Sequence, residues 1–370
     1  MSPFSCVQVV ACLGDGRRRA DGDSPRRHDR QLTPPRSGTN HFVLRIATPI
    51  LALLLLGFAP PRSGPTLTVS EQAFHVDGRP GFLLGVSLFD ALGSAPPRDQ
   101  DLDSLKSWGV NIVRVWAHWH EPIHQADGSL TMEGRSRLLR LTDRLRARQM
   151  ILELVLLRPG QLPGQPFPAF ASEAARLRAV ESMTVALRDY GNVLFDLYNE
   201  HDHGDGPITH AALRVVRDKV KGLDPERLVT VSSTEYHLIA ADGRVGEQEA
   251  RNLREEVSTD ANAVGVDVVA MHFPRTNDWA AATAARVEAI RAALERLDRR
   301  LPIYLSEENR ASPETTPAAE AYQRAFLGAQ QAGAAGWVFH TAAGFELRQR
   351  PFVDALTPVE RSGLSRLRVP

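Results

Sequence analysis

Cysteine is nearly absent from this sequence, and net charge is absent altogether. Cys6 and Cys12 are the only cysteines among 370 residues, and from Leu67 onward the chain has none. A disulfide framework and a cysteine-ligated metal site are therefore excluded there. The 44 basic side chains balance the 44 acidic ones, which gives no reason to expect nucleic acid or an anionic membrane surface as a partner.

Several motifs of catalysis and nucleic-acid binding are missing as well. The sequence contains no Walker loop, no Gly-x-Ser-x-Gly elbow and no His-Glu-x-x-His pair. No stripe of basic residues interleaved with aromatic ones appears either. Any chemistry must come from side chains that the fold brings together.

The first part of the chain differs in composition from the rest. Residues 1–42 are rich in Arg, Asp, Pro, Ser and Gly and lack apolar periodicity, which predicts disorder. In residues 43–64 the apolar stretch Ile46–Phe58 has the length of a signal-peptide core and is short for a membrane span. We interpret this segment as a signal peptide or an uncleaved membrane anchor, the only expected membrane contact. Residues 65–370 are then an exported domain, secreted or periplasmic. Because 42 residues ahead of a signal peptide are unusual, translation starting near Val43 is one hypothesis.

The exported part begins with a hairpin pattern and continues with eight apolar runs. Leu67–Phe82 alternates apolar and polar residues around Asp77-Gly78, which predicts a β-hairpin cap. The runs that follow alternate with segments whose apolar residues recur at three- and four-residue spacing. They are Phe82–Ser87, Asn111–Trp116, Met150–Leu157, Val193–Tyr198, Leu228–Ser233, Val266–His272, Ile303–Ser306 and Ala335–His340.

This alternation predicts an α/β fold, a (β/α)₈ TIM barrel with a small N-terminal β-hairpin cap. Eight strand–helix units across about 260 residues match that barrel in size and order. A doubly wound open sheet is the competitor. It would usually carry a Gly-rich phosphate loop after its first strand, and Gly85–Phe89 is not such a loop.

Two of the runs end in carboxylates. The run from Val193 ends in Asn199-Glu200, and the run from Ile303 leads into Glu307. Parallel barrel strands present their carboxyl ends at one mouth, so Glu200 and Glu307 are expected to converge. Glycoside hydrolysis needs a proton donor and a second carboxylate, and like-charge repulsion keeps one of a close pair protonated. We assign Glu200 as the acid/base and Glu307 as the nucleophile.

Four stretches give the sequence a family resemblance. They resemble strand motifs of clan A glycoside hydrolases, most of all of the cellulase-type family five. Asp77-Gly78-Arg79-Pro80 followed by Gly85-Val86 resembles the first-strand motif, and Gly109–Arg114 resembles the second-strand motif. Asp196–Glu200 resembles the fourth-strand motif, and Pro302–Glu307 the seventh-strand motif. The resemblance covers roughly residues 70 to 345. It implies a retaining double displacement by Glu200 and Glu307, without cofactor. It also implies that Asn199 binds the sugar 2-hydroxyl and that Arg114 steadies the nucleophile.

The sequence departs from the family pattern at three strands. The third strand ends in Leu157-Arg158 where the family usually has His, and the sixth in His272-Phe273-Pro274 where His-x-Tyr is common. We keep His272 in the substrate site and consider Tyr236, after the fifth strand, as a substitute for the missing tyrosine. The eighth strand usually supplies a Trp platform. Here Trp337 lies early in the eighth strand and His340 lies nearer the mouth of the barrel. The platform for the sugar is therefore one of these two residues or a residue from another part of the chain.

Further polar and aromatic residues follow the strands. His118 and Trp119 come after the second strand, where aromatic side chains stack on sugars, although packing is an equal alternative. Glu308 alternates with Glu307, so it should point outward and pair with a helix Arg. His201, Asp202, His203 and Asp205 are spaced too closely for a helical ligand pair, so we interpret them as a solvated loop and predict no metal.

The predicted function is that of a retaining β-glycoside hydrolase, endo-glucanase or cellulase-like, with an oligo- or polysaccharide as its partner. Alternatives are a β-mannanase or exo-acting clan A glycosidase, a non-catalytic carbohydrate-binding barrel, and a metal-dependent barrel hydrolase that uses the His/Asp loop. Intact Glu200 and Glu307 argue against the non-catalytic barrel, because a binder has no use for a proton donor.

Overall fold

A small antiparallel sheet precedes the barrel. The computed structural model describes residues 64–159, 170–202, 208–234, 246–273, 279–310 and 317–369. The sheet contains β1 (Leu67–Ser70), β2 (Ala73–Val76) and β3 (Arg79–Gly81), in that order. The turn between β2 and β3 is at Asp77-Gly78, where both residues have positive φ. The hairpin predicted from the Asp-Gly pair is therefore present, and β1 adds a third strand to it.

All eight apolar runs form parallel strands. These strands are β4 (Leu83–Ser87), β5 (Ile112–Trp116), β6 (Ile151–Val155), β7 (Val193–Asp196), β8 (Leu228–Thr230), β9 (Ser232–Thr234), β10 (Val269–His272), β11 (Ile303–Glu307) and β12 (Gly336–Phe339). The sheet order is β8-β7-β6-β5-β4-β12-β11-β10-β9. Because β8 and β9 are one run interrupted at Val231, the sheet closes on itself. The (β/α)₈ barrel is confirmed.

Helices cover the outside of the barrel. They are α1 (Asp99–Ser107), α2 (Met132–Ala147), α3 (Glu173–Leu187), α4 (His210–Leu223), α5 (Glu247–Ser258), α6 (Trp279–Arg296), α7 (Ala319–Gln331), α8 (Phe352–Ala355) and α9 (Pro358–Arg366). Thr131, Ser172 and Thr209 cap the starts of α2, α3 and α4, each accepting a hydrogen bond from the amide three residues on. A π-helical turn, Thr259–Val264, extends α5.

The last helix, α9, has no counterpart among the predicted elements. It is short, and its start is a capping box in which Thr357 and Glu360 bind each other's backbone amides. The sequence Thr-Pro-x-Glu is the signal for such a start, with Pro358 at the first helical position. Tyr322 of α7 packs against this helix at Gly363, where an added Cβ would lie 3.0 Å from the ring.

The lower end of the barrel is apolar. Phe74 of β2 is fully buried there and meets the ring of Tyr304 edge-on at 6.0 Å. The side chains of one cluster close this end: Leu67, Phe74, Leu83, Ile112, Ile151, Leu194, Leu228, Val268, Ala270, Tyr304, Ala335 and Val338. The N-terminal sheet thus plugs the barrel on the side away from the carboxyl ends of the strands.

The predicted leader and signal segments, residues 1–42 and 43–64, lie outside the described residues except for Gly64. Among the helices that the structure does describe, none combines the length and apolar character needed to cross a bilayer.

Candidate active site

The two carboxylates predicted from separate strands converge at the upper mouth. Glu307 is the last residue of β11, and Glu200 lies four residues beyond the end of β7. One oxygen of each lies within 4.8 Å of the other. Retaining glycosidases hold their two carboxyl groups about 5–5.5 Å apart, and inverting enzymes hold them about 6.5–9.5 Å apart. The separation fits the retaining arrangement.

Glu200 occupies an unusual backbone position. Its φ is 50°, in the left-handed region that costs a non-glycine residue about 1–2 kcal/mol. Hydrogen bonds hold this turn in place: the Asn199 amide donates to the Leu157 carbonyl at 2.8 Å, and the Glu200 amide donates to Ser232 Oγ at 3.3 Å. The neighbouring strands β6 and β9 therefore fix the direction in which the Glu200 side chain points.

Arg114 forms the floor of the site. Its guanidinium is fully buried and donates to Glu153 Oε1 at 2.9 Å, to Asp196 Oδ2 at 2.7 Å and to Glu307 Oε1. It also donates to Asn199 Oδ1 at 2.9 Å. One planar cation thus connects side chains of four strands, β5, β6, β7 and β11, which a flexible ammonium group could not do with the same geometry. The predicted pairing of Arg114 with Glu307 is present.

The surroundings of Glu307 favour its ionised form. Burial alone would raise its pKa, but His272, His340 and Arg114 outweigh that effect and lower the pKa of Glu307 to about 2. His340 Nε2 lies 3.2 Å from Glu307 Oε2. The carboxylate is consequently charged at any pH near neutrality, as a nucleophile must be.

His272, predicted to belong to the substrate site, lies between the two carboxylates. Its Nδ1 is 3.1 Å from Glu200 Oε1, and its Nε2 is 3.8 Å from Glu307 Oε1. The three side chains offer donor atoms close enough together to hold a cation. However, Arg114 already binds Glu307 Oε1, and a second cation beside a buried guanidinium would be repelled.

His340 stands where the family places an aromatic platform, but it contacts Glu307. Its Nδ1 lies 3.3 Å from Ser87 Oγ, and Phe89 packs edge-on against its ring at 5.6 Å. It is 1% exposed, so it presents little surface for stacking. His340 therefore contacts Glu307 and does not provide a platform for a sugar. Tyr236, our proposed substitute, lies outside the described residues.

Trp337 was expected in the substrate site, and the structure corrects this expectation. It lies in the layer between the barrel and the helices, with its ring 6.1 Å from Phe326 of α7. Its indole nitrogen donates to Glu308 Oε2. Strand alternation explains this position, because neighbouring residues of β12 face opposite sides. Glu308 points outward as predicted, and Arg286 of α6 lies 3.7 Å from its other oxygen.

Trp119 and His118 are both buried beside the mouth. Trp119 packs against Phe89 at 4.6 Å and donates from its indole nitrogen to the Phe345 carbonyl. His118 stacks on His124 at 4.8 Å, and burial lowers its pKa well below the ordinary value. Trp119 is 7% exposed and His118 is 2% exposed, so packing describes both better than substrate stacking.

Arg158 replaces the usual third-strand histidine. It is 6% exposed, and its guanidinium lies 5.1 Å from the ring of Trp119. It also lines a cavity of about 330 Å³ beside the ends of β6 and β7, together with Leu157, Phe170, Ser172, Glu173, Arg176 and Tyr198. This departure therefore changes the wall of the mouth and leaves the carboxylate pair intact.

Two buried residues of the site were not singled out from the sequence. Glu153, in the middle of β6, pairs in register with Arg114 of β5, and Tyr304 of β11 donates from its hydroxyl to Glu153 Oε2 at 2.6 Å. Burial raises the pKa of Glu153 to about 7 despite Arg114. A lone charge inside the apolar run Ile151–Val155 is the signal that could have identified it, because such a charge needs a partner.

Comparison with known proteins adds structural similarity at low sequence identity. No family model matches the chain, and no curated protein matches its sequence. An endo-1,4-beta-mannanase from Rhizomucor miehei aligns over 81% of this chain and 97% of its own, with 12% identity and a TM-score of 0.56. A beta-1,4-D-mannanase from Cryptopygus antarcticus covers 81% and 94%, with 15% identity and a TM-score of 0.55.

A glycoside hydrolase family 5 mannosidase from Rhizomucor miehei is also similar, covering 75% of this chain and 86% of its own, with 13% identity and a TM-score of 0.53. At these identities the similarity concerns the fold. The expected (β/α)₈ barrel is shared with these solved structures.

Proposed function

We propose that this chain is a retaining β-glycoside hydrolase. The observation that carries the proposal is the pair Glu200 and Glu307, whose oxygens lie within 4.8 Å of each other at the mouth of the barrel. Arg114 and two histidines keep Glu307 ionised, which suits a nucleophile. Glu200 lies on the other side of His272, with its Oε1 3.1 Å from His272 Nδ1, and we assign it the acid/base role.

The mechanism follows from these positions. In the first step a Glu307 oxygen bonds to the anomeric carbon while the bond from that carbon to the leaving oxygen breaks, and Glu200 gives its proton to the leaving oxygen. In the second step Glu200 takes a proton from water, and the water oxygen replaces Glu307 at the anomeric carbon. His272, 3.1 Å from Glu200 Oε1, orients the acid throughout. Asn199, held by Arg114, is placed to bind the sugar 2-hydroxyl.

The proposed substrate is a β-linked glycan, with cellulase-like endo cleavage as the first candidate. A β-mannan is the second candidate, because the similar solved structures are described as mannanases and mannosidases. Glucosides and mannosides differ only in the orientation of the 2-hydroxyl, the group that Asn199 would contact. Rates on matched aryl β-glucosides and β-mannosides, followed by cellulose and mannan, distinguish these candidates.

Azide rescue tests the roles of the two carboxylates. Glu307→Gly should be inactive until azide replaces the nucleophile, and the product should then be the α-glycosyl azide. Glu200→Ala should keep kcat/KM for aryl glycosides whose leaving group needs no proton, but its kcat should fall because no base activates the water of the second step. Azide, which needs no base, should restore kcat and give the β-glycosyl azide. The opposite stereochemical outcomes separate nucleophile from acid/base. If both variants hydrolysed unactivated glycosides at the wild-type rate, the mechanism would be refuted.

We also propose that the domain is exported, either free or anchored. Support comes from the signal-like apolar stretch Ile46–Phe58. Fractionation of cells that express the full chain, with N-terminal sequencing of the product, tests this. A full-length product confined to the cytoplasm would contradict it.

A further inference from the structure

Directly behind the acid/base lies a second cluster of titratable side chains. His201 follows Glu200 in sequence and is 1% exposed. Around it stand His210, the first residue of α4, Glu256 of α5, and Asp260 in the π-helical turn. Four donor atoms, one from each residue, lie within 4.8 Å of one another. The cluster connects three separate segments of chain and lies outside the proposed reaction steps.

The distances within this cluster match a metal site. His201 Nε2 is 2.9 Å from Glu256 Oε1 and 3.6 Å from Asp260 Oδ1, and His210 Nε2 is 3.8 Å from Glu256 Oε1. Tetrahedral Zn²⁺ with bonds of about 2.0–2.1 Å places its ligand atoms about 3.4 Å apart. These three of the six distances between ligand atoms lie near that value, and the other three are no longer than 4.8 Å, so side-chain movements would complete a four-coordinate site.

Two of the donor atoms lack a hydrogen bond. Asp260 is fully buried, and its Oδ1 has no hydrogen-bond partner within the described part of the chain; the same holds for His210 Nε2. A buried carboxylate oxygen and a buried ring nitrogen without partners cost free energy. A charged His201 paired with Glu256 alone would leave both of these atoms unsatisfied, whereas a cation at the centre of the cluster would satisfy them together.

A serine of β9 contacts the cluster. Ser233 Oγ lies 3.2 Å from Asp260 Oδ2, the oxygen of Asp260 that is not a donor atom, and this contact orients the carboxylate from outside. Ser233 Oγ also lies 3.2 Å from Glu256 Oε1 and from His201 Nε2, so a metal ion bound to these two donor atoms would replace those two contacts. A π-helical turn, a rare element that often marks functional sites, directs Asp260 inward.

We propose that His201, His210, Glu256 and Asp260 form a binding site for a divalent transition metal, with Zn²⁺ as the best fit. Two imidazoles and two carboxylates suit Zn²⁺ and disfavour Ca²⁺ and Mg²⁺, which bind through oxygen. The bound ion ties the loop that carries Glu200 to α4 and α5. The prediction of no metal considered only residues 201–205, whose spacing gives no site. The other three ligands, His210, Glu256 and Asp260, come from α4 and from α5 with its π-helical turn.

Calorimetric titration of the chelator-treated full chain with Zn²⁺ tests the site. We expect one Zn²⁺ per chain in the wild type. His210→Ala and Asp260→Asn should each weaken the affinity at least about tenfold, since even outer partners of a ligand contribute about 10–100-fold. His75→Ala, at the opposite end of the barrel, serves as the matched control and should bind like the wild type.

Melting temperature gives a second readout that needs no substrate. Zn²⁺ should raise the melting temperature of the wild type and of His75→Ala, but not that of His210→Ala. His210 is partly exposed, so this variant is expected to fold, which circular dichroism verifies. Ca²⁺ should have no such effect. The proposal fails if the wild type takes up no stoichiometric Zn²⁺, or if both ligand variants bind it as tightly as the wild type. Neither result depends on the proposed hydrolysis.

Discussion

The two ends of the barrel are filled by opposite kinds of side chain. The lower end is closed by Phe74 and the apolar cluster beneath the strands, and the upper end by Arg114 among three carboxylates. Tyr304 belongs to both, since its ring meets Phe74 and its hydroxyl donates to Glu153. The lower end is stabilised by the burial of apolar side chains, whereas the stability of the upper end depends on every buried charge having a partner. Function and stability can therefore be perturbed separately.

Tyr304 extends from the lower layer to the upper one, and a glycine of β12 makes room for its ring. Gly336 of β12 has no side chain because an added Cβ would lie 2.7 Å from the Tyr304 ring and 2.9 Å from the Leu83 carbonyl. The strand thus leaves room for a large ring inside the barrel. That ring carries its hydroxyl up to Glu153, so Tyr304 is the side chain through which the two layers are in contact.

The largest expected effect is the loss of activity at Glu307. Glu307→Gln removes the proposed nucleophile and should lower kcat/KM at least about 10⁴-fold, because neighbouring side chains cannot replace a nucleophile. The fold should survive, since an isosteric amide still accepts a hydrogen bond from Arg114. Kinetics on aryl glycosides and thermal melting measure the two properties.

Glu308→Gln is the matched control for this change. The adjacent side chain faces the helices, where Trp337 and Thr283 donate to it. We expect a stability loss of about 1–3 kcal/mol and little change in kcat/KM. Equal activity losses in the two variants would contradict the assignment of Glu307.

The next largest effect is expected when Arg114 is removed. Arg114→Met leaves Glu153, Asp196 and Glu307 buried without their cation and should cost about 3–5 kcal/mol of unfolding free energy. Because Arg114 helps to lower the pKa of Glu307, its loss should also move the acidic limb of the kcat/KM profile to higher pH. Urea unfolding and a pH profile measure these effects.

Arg144→Met provides the comparison at the surface. Arg144 pairs with the exposed Asp99, and such a pair contributes about 0–1 kcal/mol. If Arg114→Met were no more destabilising than Arg144→Met, the buried ion pairs of Arg114 would contribute no more to the unfolding free energy than one surface ion pair.

A third variant addresses the lower end alone. Phe74→Ala removes the ring that plugs the barrel and should lower the unfolding free energy by about 3–5 kcal/mol. The carboxylate pair is at the other end, so kcat/KM should stay within about twofold at temperatures where the variant is folded. A large activity loss in a fully folded Phe74→Ala protein would show that the two ends are more strongly coupled than their contacts indicate.

The strands of this barrel could be predicted from the sequence because each is a continuous apolar run, as burial on both faces requires. Glu200, Glu307 and Arg114 could be identified because they lie at the ends of such runs or within a recognisable motif. The lone charge of Glu153 in an apolar run shows only that it needs a partner. The identity of that partner depends on the pairing of β5 with β6, which places Glu153 beside Arg114 and is decided by residues far apart in the sequence.

The cluster behind Glu200 was hidden for a different reason. Glu256 and Asp260 lie more than 50 residues after His201, in a polar helical segment of ordinary appearance. The rotation of α5 and its π-helical turn decide which of its acids point inward. Trp337 shows the same limit on β12, because a single position along the strand decides between the barrel interior and the helix layer.

The smallest and most specific effect concerns the charge balance of the upper layer. Three carboxylates surround one guanidinium, so one of them is better off protonated, and burial selects Glu153, whose pKa rises from 4.5 to about 7. A raised folded-state pKa means that the folded protein binds this proton more tightly than the unfolded chain. The resulting stability is fully present below pH 4.5 and is lost as the pH rises through 7, by about 3 kcal/mol in total.

Glu153→Gln has no proton to lose, so its stability relative to the wild type should increase by about that amount between pH 4.5 and pH 8. Urea unfolding at several pH values measures the difference, and Glu247→Gln, at a 95% exposed position, should show none of it. Curves for Glu153→Gln and wild type that stay parallel across this range would mean that Arg114 neutralises Glu153 completely. All three carboxylates around Arg114 would then be ionised in the folded protein. The upper end would differ from the apolar lower end even more than a protonated Glu153 would allow.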